Sequence, residues 1–226
     1  MLALADAPLW RHHDATTGAT FAFGAARLAR HAQQAGVPVA VWLRAHGLSV
    51  ADWQSWLQRL SFLTDLGLPL VISAPWIGRP LDAAVVAHLA PLLRGAGVLG
   101  LQVPESQRQF WSGLPLADGQ PEFALGFSCH DRAGLAAAQI ATASWATLSP
   151  VLATASKPTA VPLGLDQLQT LVAATAVPVV ALGGLDASQV GAAMRAGAAA
   201  VAVGRAIWTD PGAIVAAIAQ EGGQGS

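Results

Sequence analysis

Tyrosine is absent from this 226-residue chain, and cysteine and lysine each occur once. A lone cysteine, Cys129, excludes an intrachain disulfide and points to a reducing compartment. Charge is sparse: 11% of residues are Asp, Glu, Lys or Arg, and the formal net charge is −1. No basic field therefore draws the chain to nucleic acid or acidic lipid, and neither is expected as a partner. Long apolar runs are missing too. Pro178, the pair Gly183 and Gly184, and Arg94 interrupt each stretch before it could span a bilayer. The amino terminus shows no basic segment followed by an apolar core and a cleavage site. These absences lead us to expect a soluble cytoplasmic protein, with homo-oligomerisation left open.

What is abundant is apolar sequence, 54% of the chain, much of it alanine. Strand-like runs fall at residues 2–5, 37–43, 68–73, 98–103, 123–127, 145–148, 177–182 and 200–203. Helical patterns intervene at 22–34, 50–66, 81–94, 105–111, 132–142, 165–174, 187–196 and 212–219. The strands read as nearly continuous apolar runs, the pattern of a parallel sheet buried on both faces. Asp186 followed by Gln189 has the spacing of a capping box, Gly197 sits at a helix C′ position, and Asp210-Pro211 offers an N-cap with proline at the first helical position. Eight such units in this length predict an α/β fold, a single (β/α)8 TIM barrel over residues 1–220, with 221–226 as a flexible tail. A doubly wound open sheet is the alternative, but the early glycine fingerprint of dinucleotide binders is missing. Trp53 and Trp56, three apart, are expected to pack against the barrel or a partner subunit.

The last three strand-to-helix turns carry the strongest chemical signal. The first runs from Ser149 to Lys157, the second holds Gly183 and Gly184, and the third holds Gly204 and Arg205. Glycines there let backbone N–H groups approach an anion, and a helix N-terminus adds partial positive charge. Lys157, with its compact ammonium, suits a phosphate oxygen; the alternative is a solvated loop lysine between turns that need glycine only for geometry. His130 is the candidate for acid–base work, since a free imidazole titrates near neutrality; it could instead cap the following helix beside Asp131. Cys129 reads as core rather than nucleophile. His12 and His13 read as surface residues of a long first loop.

These residues carry a resemblance. The run Phe127 to Asp131, the run Leu148 to Pro158, Pro162 to Gly164, Val180 to Gly184 and Gly197 to Val203 resemble the thiamine phosphate synthase and thiazole tautomerase superfamily. The likeness extends more faintly to Val41 through His46. It implies that a thiazole phosphate is held by Gly183, Gly184, Gly204 and Arg205, and that Thr154, Ser156 and Lys157 reach the substrate's polar groups. It also implies that Ser128 and His130 form the Ser-x-His pair whose histidine moves a proton in the tautomerase branch, and that Arg44 and His46 stand in the segment that grips a pyrimidine diphosphate in the synthase branch.

The departures from the pattern shape the expected reaction. A synthase of this kind uses magnesium held by aspartates after the third and fourth strands. Here Ser73 and Ala74 stand at the first position, and Gln102 with Glu105 at the second. One carboxylate among apolar neighbours is a poor site for a hard divalent cation. The expectation is therefore a tautomerase-like proton shift on a carboxythiazole phosphate through His130, with no metal and no cofactor. Thiamine phosphate synthesis, with magnesium, is the first alternative. A non-catalytic barrel that binds a thiazole or thiamine phosphate is the second.

Overall fold

A computed structural model describes residues 1–6, 15–44, 48–74, 90–111 and 124–223. Eight parallel strands close on themselves in chain order, each hydrogen-bonded to its sequence neighbour, with the last returning to the first. They are β1 (Leu2–Asp6), β2 (Ala40–Arg44), β3 (Leu70–Ser73), β4 (Val98–Val103), β5 (Ala124–Cys129), β6 (Trp145–Leu148), β7 (Val179–Leu182) and β8 (Ala200–Val203). The predicted TIM barrel is the observed fold. Leu2 lies opposite Ala40 on one side and Ala202 on the other, which closes the ring.

Strand periodicity sorts side chains into two apolar sets. Ala3, Ala5, Val41, Leu43, Leu101, Phe127 and Leu148 point outward into the main core, against the helices. Residues one position out of phase (Leu4, Ala40, Trp42 and Val71, with Leu2, Trp145 and Leu182 against them) form a second cluster that fills the barrel. Two glycines make room for it. A Cβ on Gly126 would lie 2.1 Å from Trp145 ring atoms, and one on Gly100 would lie 2.7 Å from them. Trp145 on β6 thus occupies space that β4 and β5 leave empty. The register between β3 and β4 shifts between Leu70 and Val71, which pair with Val98 and Gly100. The bulged residue, Leu99, stands 57% exposed on the outer wall, while Gly100 and Gln102 keep their inward phase.

The helices are α1 (Ala15–Ala35), α2 (Val50–Arg59), α3 (Phe62–Asp65), α4 (Arg108–Trp111) after a 3-10 turn at Glu105–Gln107, α5 (Arg132–Ile140), α6 (Gly164–Ala173), α7 (Val190–Arg195), α8 (Arg205–Thr209) and α9 (Pro211–Gly222). Residues 90–95 are helical as well, and the rest of the helix expected at 81–94 lies outside the described residues, as do His12 and His13.

Several boundaries differ from expectation. The helix expected over 50–66 breaks at Leu60, whose N–H still reaches Trp56 O while the next bond, Leu63 N–H to Leu60 O, is a tighter three-residue step. A capping box forms at Ser49 and Asp52 instead of at Asp186 and Gln189. Asp186 Oδ1 accepts from the Ser188 N–H at 2.8 Å and from its hydroxyl at 2.6 Å, closing a local turn before α7 begins at Val190. Residues 221 and 222 of the expected tail are helical, since α9 continues to Gly222 and Glu221 pairs with Arg195; residues 224–226 lie outside the described residues. Helix α8 was not anticipated. It is pinned by Trp208, whose indole donates to Leu4 O at 2.8 Å and stacks obliquely on Phe21. Gly197, at φ +93°, and Asp210, whose side chain accepts from Ala213 N–H, cap as predicted. Trp53 is buried in the core, and Trp56 packs partly against it with the Arg59 guanidinium 5.3 Å from its ring centre.

Candidate functional site

The carboxyl ends of the strands open into a cavity of about 810 Å³. Arg44, Ser128, His130, Thr154, Ser156, Lys157, Gly183, Gly184, Gly204 and Arg205 all line it. His46 lies outside the described residues. Sequence reasoning missed Leu4, Trp42 and Asp186 on the wall, while Ser149 belongs to the first of the expected turns. Trp42 was legible in principle, since it precedes Arg44 by two positions on one strand and so shares its inward face.

The three turns meet because the chain continues the sheet past its strands. After the cis peptide Ser149-Pro150, the N–H groups of Val151 and Leu152 donate to Leu182 O at 2.9 Å and Gly183 O at 3.0 Å. The turn after β6 is thereby fastened to the turn after β7. The same loop is clamped at its far end, where Leu163 and Gly164 donate to Pro150 O and Val151 O at 3.0 and 2.8 Å. Close approach explains both glycines after β7. Gly183 has φ +106° and would set a Cβ 2.9 Å from Pro150 Cα; Gly184 has φ +70° and would set one 2.5 Å from Ala153 O. Gly204 differs, since a Cβ there meets nothing within 4 Å. Packing does not require glycine at 204; the space beside its amide is open. Lys157 sits on a turn in which its N–H reaches Thr154 O at 3.2 Å, and its side chain is exposed.

His130 is not a helix cap. Asp131 takes that role, accepting from Gly134 N–H at 2.8 Å. His130 Nδ1 lies 2.5 Å from Ser149 O. A carbonyl oxygen only accepts, so Nδ1 carries the proton and Nε2 is the nitrogen free to exchange one. Nε2 faces Glu105, with 3.8 Å to Oε2. Glu105 is in turn 3.5 Å from Arg108 Nη2, and Arg108 Nη1 donates to Gly134 O at 3.1 Å. The carboxylate weighed for a metal is therefore part of an Arg108–Glu105–His130 row. Cys129, on the opposite face of β5, is buried; desolvation pushes its thiol above the ordinary range to about 11, as expected of a core residue.

The floor of the cavity is polar and neutral. Ser73, Gln102 and Thr147 are buried polar residues beneath it. Gln102 Nε2 donates to Thr147 Oγ1 at 2.7 Å and Ser128 Oγ at 3.1 Å, and its Oε1 accepts from Trp145 Nε1 at 2.8 Å. Asp186, at the rim, has its carboxyl held below the usual range by the Ser188 hydroxyl and amide. Among the described residues no group of three or more His, Cys, Asp or Glu could hold a metal ion. No described helix is long and apolar enough to cross a membrane.

Comparison with known proteins points to one family. Residues 116–207 match the family model described as thiamine monophosphate synthase. A putative thiamine-phosphate synthase of Geobacter sulfurreducens is 43% identical over 88 residues, which is 38% of this chain and 41% of that protein. The thiamine-phosphate synthase of Laribacter hongkongensis is 43% identical over 97 residues, 42% of this chain and 46% of that protein. The aligned region thus spans less than half the length of these two relatives. Over the whole chain the likeness is one of fold. Thiamine phosphate pyrophosphorylase from Pyrococcus furiosus superposes with a TM-score of 0.65 at 13% identity, covering 97% of this chain and 96% of that one. These matches support the thiamine-phosphate synthase family, and they lend no support to the tautomerase-like branch expected from the sequence.

Proposed function

We propose that this chain acts in thiamine biosynthesis on a heterocycle carrying a monophosphate, and that it joins a thiazole phosphate to an activated pyrimidine, the thiamine-phosphate synthase reaction. One observation carries the reading: Lys157, Gly183, Gly184, Gly204 and Arg205 converge on one cavity, and all of them fall within the 116–207 stretch that matches the family model. Backbone N–H groups on glycine turns, with two cations beside them, are a phosphate cradle. The relatives that match part of this chain are named thiamine-phosphate synthases, which favours coupling over the tautomerisation read from the sequence.

A synthase of this kind implies magnesium, and the described residues do not fit that ion. Ser73 and Gln102 are neutral, Glu105 is engaged with Arg108, and Asp186 with Ser188. We assign no step to a metal. This misfit, with the Nδ1 proton that Ser149 O fixes on His130 and the Nε2 left to face the cavity, supports the second reading, a proton shift on a carboxythiazole phosphate.

The test supplies purified protein with thiazole phosphate and hydroxymethylpyrimidine diphosphate, with magnesium or with chelator, and separately with carboxythiazole phosphate. Thiamine phosphate formation that weakens in Lys157→Ala is expected. Its absence, alongside isomerisation that is insensitive to chelator and lost in His130→Ala, would promote the second reading. Binding without either turnover would make the chain a phosphate-binding barrel.

A further inference from the structure

The hydrogen bonds beneath the cavity have a direction, and it can be read without locating a hydrogen atom. An indole N–H only donates, so the group 2.8 Å from Trp145 Nε1 is the amide oxygen of Gln102. That assignment turns the Gln102 NH₂ toward two hydroxyls, Thr147 Oγ1 and Ser128 Oγ, both of which must accept. Thr147 then passes its own proton to Phe127 O, 3.4 Å away. Ser128 differs. Its oxygen accepts from Gln102, it makes no other hydrogen bond to a described residue, and it lines the cavity. Its hydroxyl proton is therefore left to face whatever occupies that space. The arrangement is rigid, since Gln102 and Thr147 are each 1% exposed and Gly100 and Gly126 lock the Trp145 ring.

We propose that Gln102, oriented by Trp145, is a positioning residue that makes Ser128 a hydrogen-bond donor to the substrate, and that the bound heterocycle satisfies it by setting an acceptor atom, a ring nitrogen or a carboxylate oxygen, against it. This rests on the reading that a phosphorylated heterocycle fills the cavity. It adds a selection rule: a ring presenting a donor at that point can reach only the second lone pair of Ser128 and leaves the hydroxyl proton without a partner, so it is disfavoured against a ring presenting an acceptor.

Gln102→Glu tests the polarity at nearly constant volume. An ionised carboxylate accepts from Trp145 and from Ser128 together, which reverses the Ser128 hydroxyl. A protonated carboxyl can donate again. Calorimetric titrations with hydroxyethylthiazole phosphate and with inorganic phosphate are compared across pH, each variant against wild type at the same pH because Arg44, Glu105, His130, Lys157, Asp186 and Arg205 also face the cavity. Thiazole phosphate affinity is expected to fall by about tenfold or more in Gln102→Glu at pH 8 and to recover as pH is lowered, with inorganic phosphate affinity unchanged. Ser128→Ala should weaken the same ligand, and the double variant should be no worse than Ser128→Ala alone. Wild-type affinity in Ser128→Ala, or a Gln102→Glu loss that is flat in pH, overturns the inference while leaving the phosphate cradle standing. Failure of wild-type protein to bind thiazole phosphate sinks both. If Gln102→Glu does not fold, Trp145→Phe replaces it: the ligand should weaken, with no further loss when Ser128→Ala is added, and an additive loss overturns the positioning role.

Discussion

Replacing Gly184 with alanine should separate the two demands that the turn after β7 makes. The residue sits at φ +70°, where an L side chain costs about 1–2 kcal/mol. The new Cβ would lie 2.5 Å from Ala153 O and 2.7 Å from Leu152 Cβ. The first contact is backbone, so relief requires the loop after β6 to move, and overpacking of this kind adds about 1–3 kcal/mol. The sum is about 2–5 kcal/mol. For a chain of this size each kcal/mol lowers the melting temperature by about 2–4 °C, so a drop of about 4–20 °C is expected by scanning calorimetry. Gly204→Ala is the control, because a Cβ there meets nothing within 4 Å; its melting temperature should change by the equivalent of about 0.5 kcal/mol or less. At a temperature where Gly184→Ala is folded, its affinity for a phosphate ester should fall sharply, since Thr154, Ser156 and Lys157 ride on the displaced loop. A Gly184→Ala protein that melts with wild type would refute the packing argument, and one that binds the ester normally would refute the assignment of the anion to these turns.

Gly126→Ala should destabilise the barrel by about 1–3 kcal/mol or more, because its Cβ would meet the Trp145 ring at 2.1 Å; chemical denaturation measures the change, and it should shrink in the background of Trp145→Ala. Cys129, neutral in the fold and raised to about 11, contributes stability that is complete below the thiol's ordinary titration range and lost as pH rises through that range toward 11, and Cys129→Ala should flatten that alkaline decline in thermal melts. Iodoacetamide at pH 8 should label Cys129 only in denatured protein, as read by intact mass. Ser188→Ala should move the Asp186 carboxyl part of the way up toward the ordinary range, seen by carbon-13 titration, because it removes the hydroxyl that is the largest cause of the lowering and leaves the backbone amides in place.

The eight alternating units were legible in the sequence because each strand is buried on both faces and each is bounded by turn residues. The limits of β4, β6 and β8 agree residue for residue with the apolar runs at 98–103, 145–148 and 200–203. The caps at Gly197 and Asp210 were legible for a similar reason: they act within one turn of their own helix. So were the three turns that line the cavity, where glycine and the lone lysine mark positions on a short stretch of chain. The floor of the cavity was not. Gln102 meets Ser128 and Thr147 across separations of 26 and 45 residues, and it meets Trp145 across 43. Nothing local distinguishes a tryptophan that fills a barrel through two absent side chains on neighbouring strands from one that packs outward. The row from Arg108 through Glu105 to His130, and the tautomer that Ser149 O imposes, likewise come into being only when β4, β5 and β6 lie side by side. Periodicity reports which face of an element is buried, and that alone determined the barrel; the partner a buried polar group finds on that face is decided by strand order and register, which only the closed sheet supplies.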